Sequence, residues 1–473
     1  MLKTLGEVLG RLSSVALFIL AARILGAQTF GRYSYAVSVA SLALIGMDLG
    51  LNTLFVREGA KRPLEVPTFA GTLLLIKCLL ATVMLGAVWL FCRLMELPPP
   101  DLALVMAVSL IQTLAGLTEL GLAGLNALER MDREALTKIS ARGVGLFAAG
   151  TLLLFGGGLW GLVAGLFAAN LMAASMSLCF LYSHGGFRLR LNSSFLGRLL
   201  RESLPLALTN IFILVYFRVD MVMLESMGWP YEELGWYGAG VRIIEAVGLV
   251  PALVSASLLP VLSSLASGQP AEMAKLFSQG RRLLVILGLP AAVGLFGVRA
   301  EVPLLIFGPD FGETSRAFFW LGPMVAFLFI NFLQLAFLTS MGLQRLCAWA
   351  TGVCLAVNVG LNLLLIPWYG FEGAAAATLA TEIVLFGQAA WFIYRHLGGT
   401  RLGHSLLRPA LATLVMSAWL YISASWNLAY SIPSAMAVYG AALILVKGLT
   451  WPELKELVQI IIKPGPGVAS KEA

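Results

Sequence analysis

About fourteen apolar stretches, each of roughly twenty residues, run through this chain, with basic residues gathered at alternate junctions between them. A stretch of that length covers a hydrocarbon core about 30 Å thick at about 1.5 Å rise per residue. The pattern predicts a polytopic membrane protein that threads the bilayer repeatedly. A chain spent mostly on membrane has little material for an aqueous active site, so transport is the default expectation. Of 473 residues 59% are apolar and only 12% are charged, against about 25% charged in an ordinary soluble domain. The 49 glycines suit close helix packing. The net charge of +7 does not point to nucleic acid, because the basic residues lie in short inter-helix loops.

The spans are expected at 6–26, 33–56, 69–95, 102–126, 138–157, 159–182, 203–227, 235–265, 283–306, 317–342, 346–368, 372–397, 406–426 and 430–448. With the N-terminus inside, cytoplasmic segments hold Arg57, Lys61 and Arg62, then Arg130, Arg133 and Lys138, then Arg188, Arg190, Arg198 and Arg201. Lys275, Arg281, Arg282, Arg345, Arg395, Arg401, Arg408 and the C-terminal lysines continue the series. The opposite loops hold Arg23, Arg32, Arg93, Arg299 and Arg316, together with Glu225, Glu232, Glu233, Glu301, Asp310 and Glu313. This bias predicts an inner-membrane protein with both termini cytoplasmic.

Three small motifs recur in order. Gly31-Arg32-Tyr33 matches Gly235-Trp236-Tyr237, Gly124-Leu125-Asn126 matches Gly342-Leu343-Gln344, and Trp160-Gly161 with Gly165 matches Tyr369-Gly370 with Gly373. A parallel repeat follows, with a pseudo-twofold axis along the membrane normal. The expected fold is all-α: an N-lobe of six helices at 1–182, a basic cytoplasmic linker at 183–202, and a C-lobe of six helices at 203–397. Two extra helices occupy 398–450, and a cytoplasmic tail, expected to be disordered from Pro464, occupies 451–473.

Charged residues inside the spans are the clues to chemistry, since each costs about 2.5–3.5 kcal/mol at a helix centre and must face the bundle or a cavity. Arg11 and Lys77 in the first lobe and Arg218 and Arg242 in the second are the cationic candidates for binding an anionic substrate such as a pyrophosphate. The plainer alternatives are pairing of Arg242 with Glu245 at i,i+3 and snorkelling of Lys77 and Arg11. Glu119 is a further charge inside a span, while Asp48 and Arg142 lie nearer helix ends. A polar set follows: Asn358 and Asn362 share one helix face, Thr378 and Glu382 share another, and Asp220 sits in the seventh span. Carboxylate, amide and hydroxyl oxygens are ligand chemistry for Na⁺, and a buried carboxylate alternatively carries H⁺. Interhelical hydrogen bonding is the structural alternative.

Cys78, Cys92, Cys179, Cys347 and Cys354 form no CxxC pair and read as small core residues. His184, His396 and His404 all fall in expected loops. No P-loop, GxSxG elbow, HExxH or dinucleotide fingerprint occurs, and no cofactor is expected. The longest outer loops are too short for a polymerase or ligase, which leaves a membrane enzyme disfavoured.

Ala22-Arg23-Ile24-Leu25-Gly26, then Phe30-Gly31-Arg32-Tyr33 and Asp48-Leu49-Gly50-Leu51, resemble the N-terminal signature of polysaccharide-synthesis flippases. These are the O-antigen and lipid-linked oligosaccharide flippases of the multidrug/oligosaccharidyl-lipid/polysaccharide exporter superfamily. Arg218-Val219-Asp220, Gly235-Trp236-Tyr237 with Arg242, and Tyr369-Gly370 with Gly373-Ala374-Ala375 extend the resemblance over roughly residues 1–400. It implies two six-helix lobes around a cavity that alternates in access, and movement of an undecaprenyl-pyrophosphate-linked oligosaccharide to the outer leaflet. It implies membrane lipids and polysaccharide polymerase machinery as partners. Lipid II flippases of the superfamily use cavity arginines on helices one and eight, where Arg11 and Arg242 stand, and the final helix pair forms a lipid groove. Their sodium site is similar to the set Asp220, Asn358, Asn362 and Thr378, with one departure: an acidic residue is expected where this chain has Asn362. The rival readings are a cation-coupled multidrug exporter of the same superfamily, against which the cationic candidates argue, and a lipid II flippase.

Overall fold

The computed structural model describes residues 2–48, 50–188, 193–266, 268–397 and 403–446, with the side chains of 2–12, 193–207, 210, 397 and 403–406 outside the description. Among the described residues every regular element is helical. Two expected spans merge in α1 (Leu2–Leu44), which turns sharply at Gly26 with φ +70°. That region is open mainly to glycine, so the motif ending at Gly26 is a turn signal. The helices α2 (Leu51–Lys61), α3 (Val66–Leu94), α4 (Pro99–Ala127) and α5 (Met131–Val144) follow. A π-helical stretch, Gly145–Ala149, joins α5 to α6 (Gly150–Leu154). After α7 (Gly158–Tyr182) come α8 (Ser193–Ser226), α9 (Tyr231–Val247), α10 (Leu249–Leu265), α11 (Pro270–Gly297), the short α12 (Glu301–Phe307) and α13 (Thr314–Ser340). Then α14 (Gln344–Leu397) again holds two spans, divided at Gly370 with φ +53°. The chain continues in α15 (Gly403–Ile422) and α16 (Leu428–Leu445).

When α1 and α14 each count as two rods, and α5–α6 and α9–α10 as one each, the described residues hold the fourteen rods expected, with α2 continuing the second rod and α12 outside it. Several boundaries differ from expectation: α8 starts at Ser193 rather than 203, so the expected linker 183–202 is helical from 193, and α11 ends at Gly297 rather than 306. The second span does not run unbroken to 56: the helix passes through a short 3-10 turn at Ile45–Met47 and restarts at Leu51 behind Gly50, whose φ is +78°. The ninth rod starts at Pro270 rather than 283, so Lys275, Arg281 and Arg282 lie on α11 and not in a loop. Hydropathy placed them outside because charges lower a window average, whereas the backbone continues as helix to satisfy its own hydrogen bonds.

The break in the second rod is held by specific partners. Asp48 caps the restart through Asn52 N, which donates to its Oδ1 at 3.3 Å, and its carbonyl accepts from Leu51 N at 2.6 Å. Lys77, fully buried on α3, donates to Asp48 Oδ1 at 3.4 Å and to the carbonyl of Gly116 on α4 at 3.3 Å. One ammonium thus ties three helical segments together. At the α4–α5 turn, outside the membrane spans, Arg130 donates to both carboxylate oxygens of Asp132 at 3.2 and 3.1 Å, which holds that carboxyl down at about 2.

The chain divides into two compact units, Met1–Gly238 and Ala239–Ala473, with the division inside α9. In the first, Leu51, Phe55, Phe69, Leu73, Leu120 and Leu181 form a core where α2, α3, α4 and α7 meet. In the second, α13 packs against both α11 and α14, and Ile286, Ala412, Ala442 and Leu443 close a smaller cluster where α11 meets α15 and α16.

Removing the Lys77 side chain leaves a carbonyl and a half-exposed carboxylate without their shared donor. Lys77→Ala is expected to destabilise the first unit by about 1–3 kcal/mol. Lys77→Met, which keeps the stem and removes the charge, is expected to lose less. Thermal unfolding of the purified protein in detergent reads both; an unchanged midpoint for Lys77→Ala would refute the clamp.

Candidate functional site

The first unit contains Asp220 on α8. It is buried, its Oδ1 accepts from Met221 N at 2.7 Å, and its Oδ2 accepts from the phenol of Tyr237 on α9. Tyr237 is a partner that sequence reasoning missed, although it stands in the Gly235-Trp236-Tyr237 motif. Arg218, two residues before Asp220, is half-buried on α8. Arg11 lies on α1, and its side chain is outside the described residues. Lys77 belongs to the helix-break clamp described above.

Within this unit α1 and α9 meet backbone to backbone. A Cβ on Gly31 would stand 1.8 Å from the carbonyl oxygen of Tyr231, and one on Gly235 would stand 2.0 Å from that of Ala27. The glycines of the two repeated motifs therefore form one seam. Farther along it, a Cβ on Gly238 would lie 3.1 Å from Ser34 Cβ. Beside the seam, the Tyr231 hydroxyl donates to Asp101 Oδ2 at 3.4 Å, Arg32 Nε lies 3.7 Å from Asp101 Oδ1, and the Arg32 guanidinium sits 5.4 Å from the Tyr231 ring centre.

The second unit contains Arg242 on α9, whose Nη1 donates to Glu245 Oε2 at 2.7 Å. The i,i+3 spacing puts both on one helix face. The arginine side chain retains 19% exposure and the glutamate 37%, so the pair is reachable from outside the protein core.

The polar residues of the second unit form a buried network between α13 and the two halves of α14. Asn362 Nδ2 donates to Asn358 Oδ1 at 3.0 Å, and Asn358 Nδ2 donates to Thr381 Oγ1 at 3.3 Å. Thr378 donates to Ala374 O at 2.9 Å and Thr381 to Ala377 O at 2.8 Å. Glu382 Oε2 accepts from Asn331 Nδ2 at 2.6 Å. Thr381, Asn331 and Gln334 were not singled out in the sequence. The available signal was the i,i+3 pair Asn331 and Gln334 inside an otherwise apolar run on α13.

Among the described residues, Asn331 Oδ1 and Asn362 Oδ1 of this network, and Gln334 Oε1 one turn along α13 from Asn331, have no hydrogen-bond partner, although all three residues are buried. An unpaired buried acceptor costs about 1–3 kcal/mol. Oxygens of this kind, with a carboxylate, are ligands for a hard cation. Among the described residues no His/Cys/Asp/Glu cluster suits a transition metal. Asp220 belongs to the other unit.

The family model for polysaccharide biosynthesis proteins matches residues 1–266, and the MatE family model matches 205–364. The uncharacterized membrane protein YabM of Bacillus subtilis (strain 168) is 26% identical over 198 residues, 40% of this chain and 37% of that protein. The match thus spans little more than a third of that relative. Among solved structures, the lipid II flippase MurJ in an inward closed conformation is similar over 96% of this chain and 99% of its own, with TM-score 0.76 and 14% identity. An inward-facing multidrug resistance MATE family transporter is similar over 83% and 96%, with TM-score 0.67 and 16% identity. A superfamily transporter from Pyrococcus furiosus with a binding pocket of reverse polarity is similar over 85% and 94%, with TM-score 0.53 and 15% identity. Matched over more than half its length, the chain belongs to the polysaccharide biosynthesis protein family and is a multi-pass membrane transporter of the multidrug/oligosaccharidyl-lipid/polysaccharide exporter superfamily, not an enzyme.

Proposed function

We propose that this transporter flips an undecaprenyl-pyrophosphate-linked oligosaccharide, an O-antigen or other polysaccharide repeat unit, from the inner to the outer leaflet of the cytoplasmic membrane. Family membership joined to a reachable membrane-embedded cation, Arg242, is the observation that carries this reading. A pyrophosphate offers the guanidinium a bidentate acceptor of higher charge than the single carboxylate of Glu245. Exchange of one partner for the other lets substrate binding release Glu245 without leaving Arg242 unpaired. Arg11 and Arg218 are carried over from the family resemblance as further cations suited to an anionic headgroup, with both termini in the cytoplasm. Alternating access and a role for residues 398–450 beside the lipid tail are taken from the family resemblance. Polysaccharide polymerase machinery is the downstream partner class.

Direction needs an energy source, because a ligand shifts an equilibrium only through different affinity for the two states. We assign Na⁺ to the buried network, with Glu382, Asn331, Gln334 and Asn362 as its oxygen donors in the second unit. Asp220, Asn358 and Thr378 complete the ion-coupling set carried over from the family resemblance. Glu382 is the residue on which H⁺ would ride if Na⁺ does not. The MatE match favours a second reading, a cation-coupled multidrug exporter.

Mass spectrometry of membrane lipids after depletion of the protein separates these readings. Accumulation of one polyprenyl-pyrophosphate oligosaccharide, reversed by wild type but not by normally expressed Arg242→Ala, is expected. An unchanged lipid profile with new sensitivity to cationic drugs would overturn the flippase in favour of the exporter. Export should also fall at least tenfold when the Na⁺ gradient is removed, and Glu382→Gln should lose that dependence; equal export with and without Na⁺ would remove sodium from the mechanism.

Alternating access predicts that the α1–α9 seam parts during transport. On a background without the native cysteines, Ser34→Cys with Gly238→Cys is expected to form a disulfide that stops export and is reversed by reductant. Full export by the cross-linked protein would show that the seam stays closed throughout the cycle.

A further inference from the structure

The first unit holds a cavity of about 170 Å³ between α1, the α5–π junction and α7, and none of the residues given a transport role lines it. Ser13 and Ser14 approach it from α1, Arg142 from the end of α5, and Asn170 from α7. Leu17 and Leu166 supply apolar wall. Arg142 is the charged residue among those that line it.

The walls are fixed by backbone geometry. The π-helical stretch Gly145–Ala149 begins three residues after Arg142 and widens the helix there. Such insertions are rare and concentrate at functional sites. Behind the cavity α7 is locked against the same stretch: a Cβ on Gly165 would lie 2.3 Å from Ala149 N, and one on Gly145 would touch Ala169 Cβ at 3.5 Å. Asn170, next along α7, donates its Nδ2 to Leu166 O at 2.9 Å, which directs the amide oxygen away from its own helix as an acceptor.

We propose that this cavity binds a phosphate group, carried either by a phospholipid headgroup or by free inorganic phosphate. The guanidinium fork matches two phosphate oxygens, and two adjacent hydroxyls add donors. The Asn170 acceptor suits a P–OH of inorganic phosphate or a glycerol hydroxyl of a lipid headgroup. A cavity of about 170 Å³ has room for a phosphate group. Leu17 and Leu166 add apolar wall beside these polar groups, which a lipid's glycerol and acyl carbons would tolerate. This site is independent of the flippase reading, because occupancy is measured without export.

The test uses the purified full chain with two probes, phosphatidylglycerol retained in native mass spectra and inorganic phosphate titrated by ³¹P NMR. Wild type is expected to bind one of them saturably. Arg142→Gln should weaken that binding at least tenfold, and Arg142→Lys, which keeps the charge without the fork, by an intermediate factor. Loss confined to phosphatidylglycerol identifies a lipid headgroup as the source; loss confined to inorganic phosphate identifies the free ion. Ser13→Ala with Ser14→Ala, expected to weaken binding two- to fivefold, decides the matter if Arg142→Gln does not fold. Wild-type binding of neither probe, or undiminished binding by folded variants, overturns the proposal.

Discussion

Water is missing from the interior of a bilayer, and that absence governs nearly every feature of this protein. A backbone amide in hydrocarbon has only its own chain to bond to, so each crossing is a helix. Where the chain cannot remain helical, a dedicated partner is present. The second rod breaks at 45–50, and there Asp48, Lys77 and the Gly116 carbonyl converge. A buried lysine would be costly without acceptors. It is tolerable because the break supplies a carboxylate and α4 supplies a carbonyl. The break and the charge explain one another, whereas neither would survive alone in a lipid-facing helix.

The same constraint decides which parts of the molecule a sequence reader can recover. Crossing helices are legible because apolar length is a local property, and all fourteen rods were expected. The turn between the two halves of α14 was legible through Tyr369-Gly370, since positive φ selects glycine locally. The break near Asp48 was not: an apolar window averages over Ile45, Met47 and Leu51 without registering that the helix axis has been interrupted. The beginning of α11 was missed for the opposite reason, because Arg281 and Arg282 depress the average while the helix runs on.

Site residues divide along similar lines. The Arg242–Glu245 pair was legible because i,i+3 spacing is a property of one helix. The partner of Glu382 was not, because Asn331 lies 51 residues earlier and meets it only once α13 packs on α14. Asp220 was singled out as an acidic residue in a membrane span. Its Tyr237 partner follows from the packing of α8 against α9, which no spacing rule contains. Residues defined by charge can be recognised in one dimension; residues defined by what they satisfy require the third.

The seam between α1 and α9 is a tight contact that the proposed alternating access would have to open. Interdigitated large side chains would have to leave their rotamer wells and expose cavities each time the surface opened, at several kcal/mol per residue. Gly31 and Gly235 bring two helix backbones together with no side chains to disengage. What is lost on parting is weak contact between Cα hydrogens and carbonyls, about 0.5–1 kcal/mol each. Those carbonyls stay bonded within their helices, so no buried polar group is orphaned. The polar pairs around Asp101 lie beside the seam, at 3.4 and 3.7 Å, where partial exposure of Arg32 makes their exchange for water inexpensive. A surface assembled in this way is therefore suited to the parting that the proposed transport cycle requires.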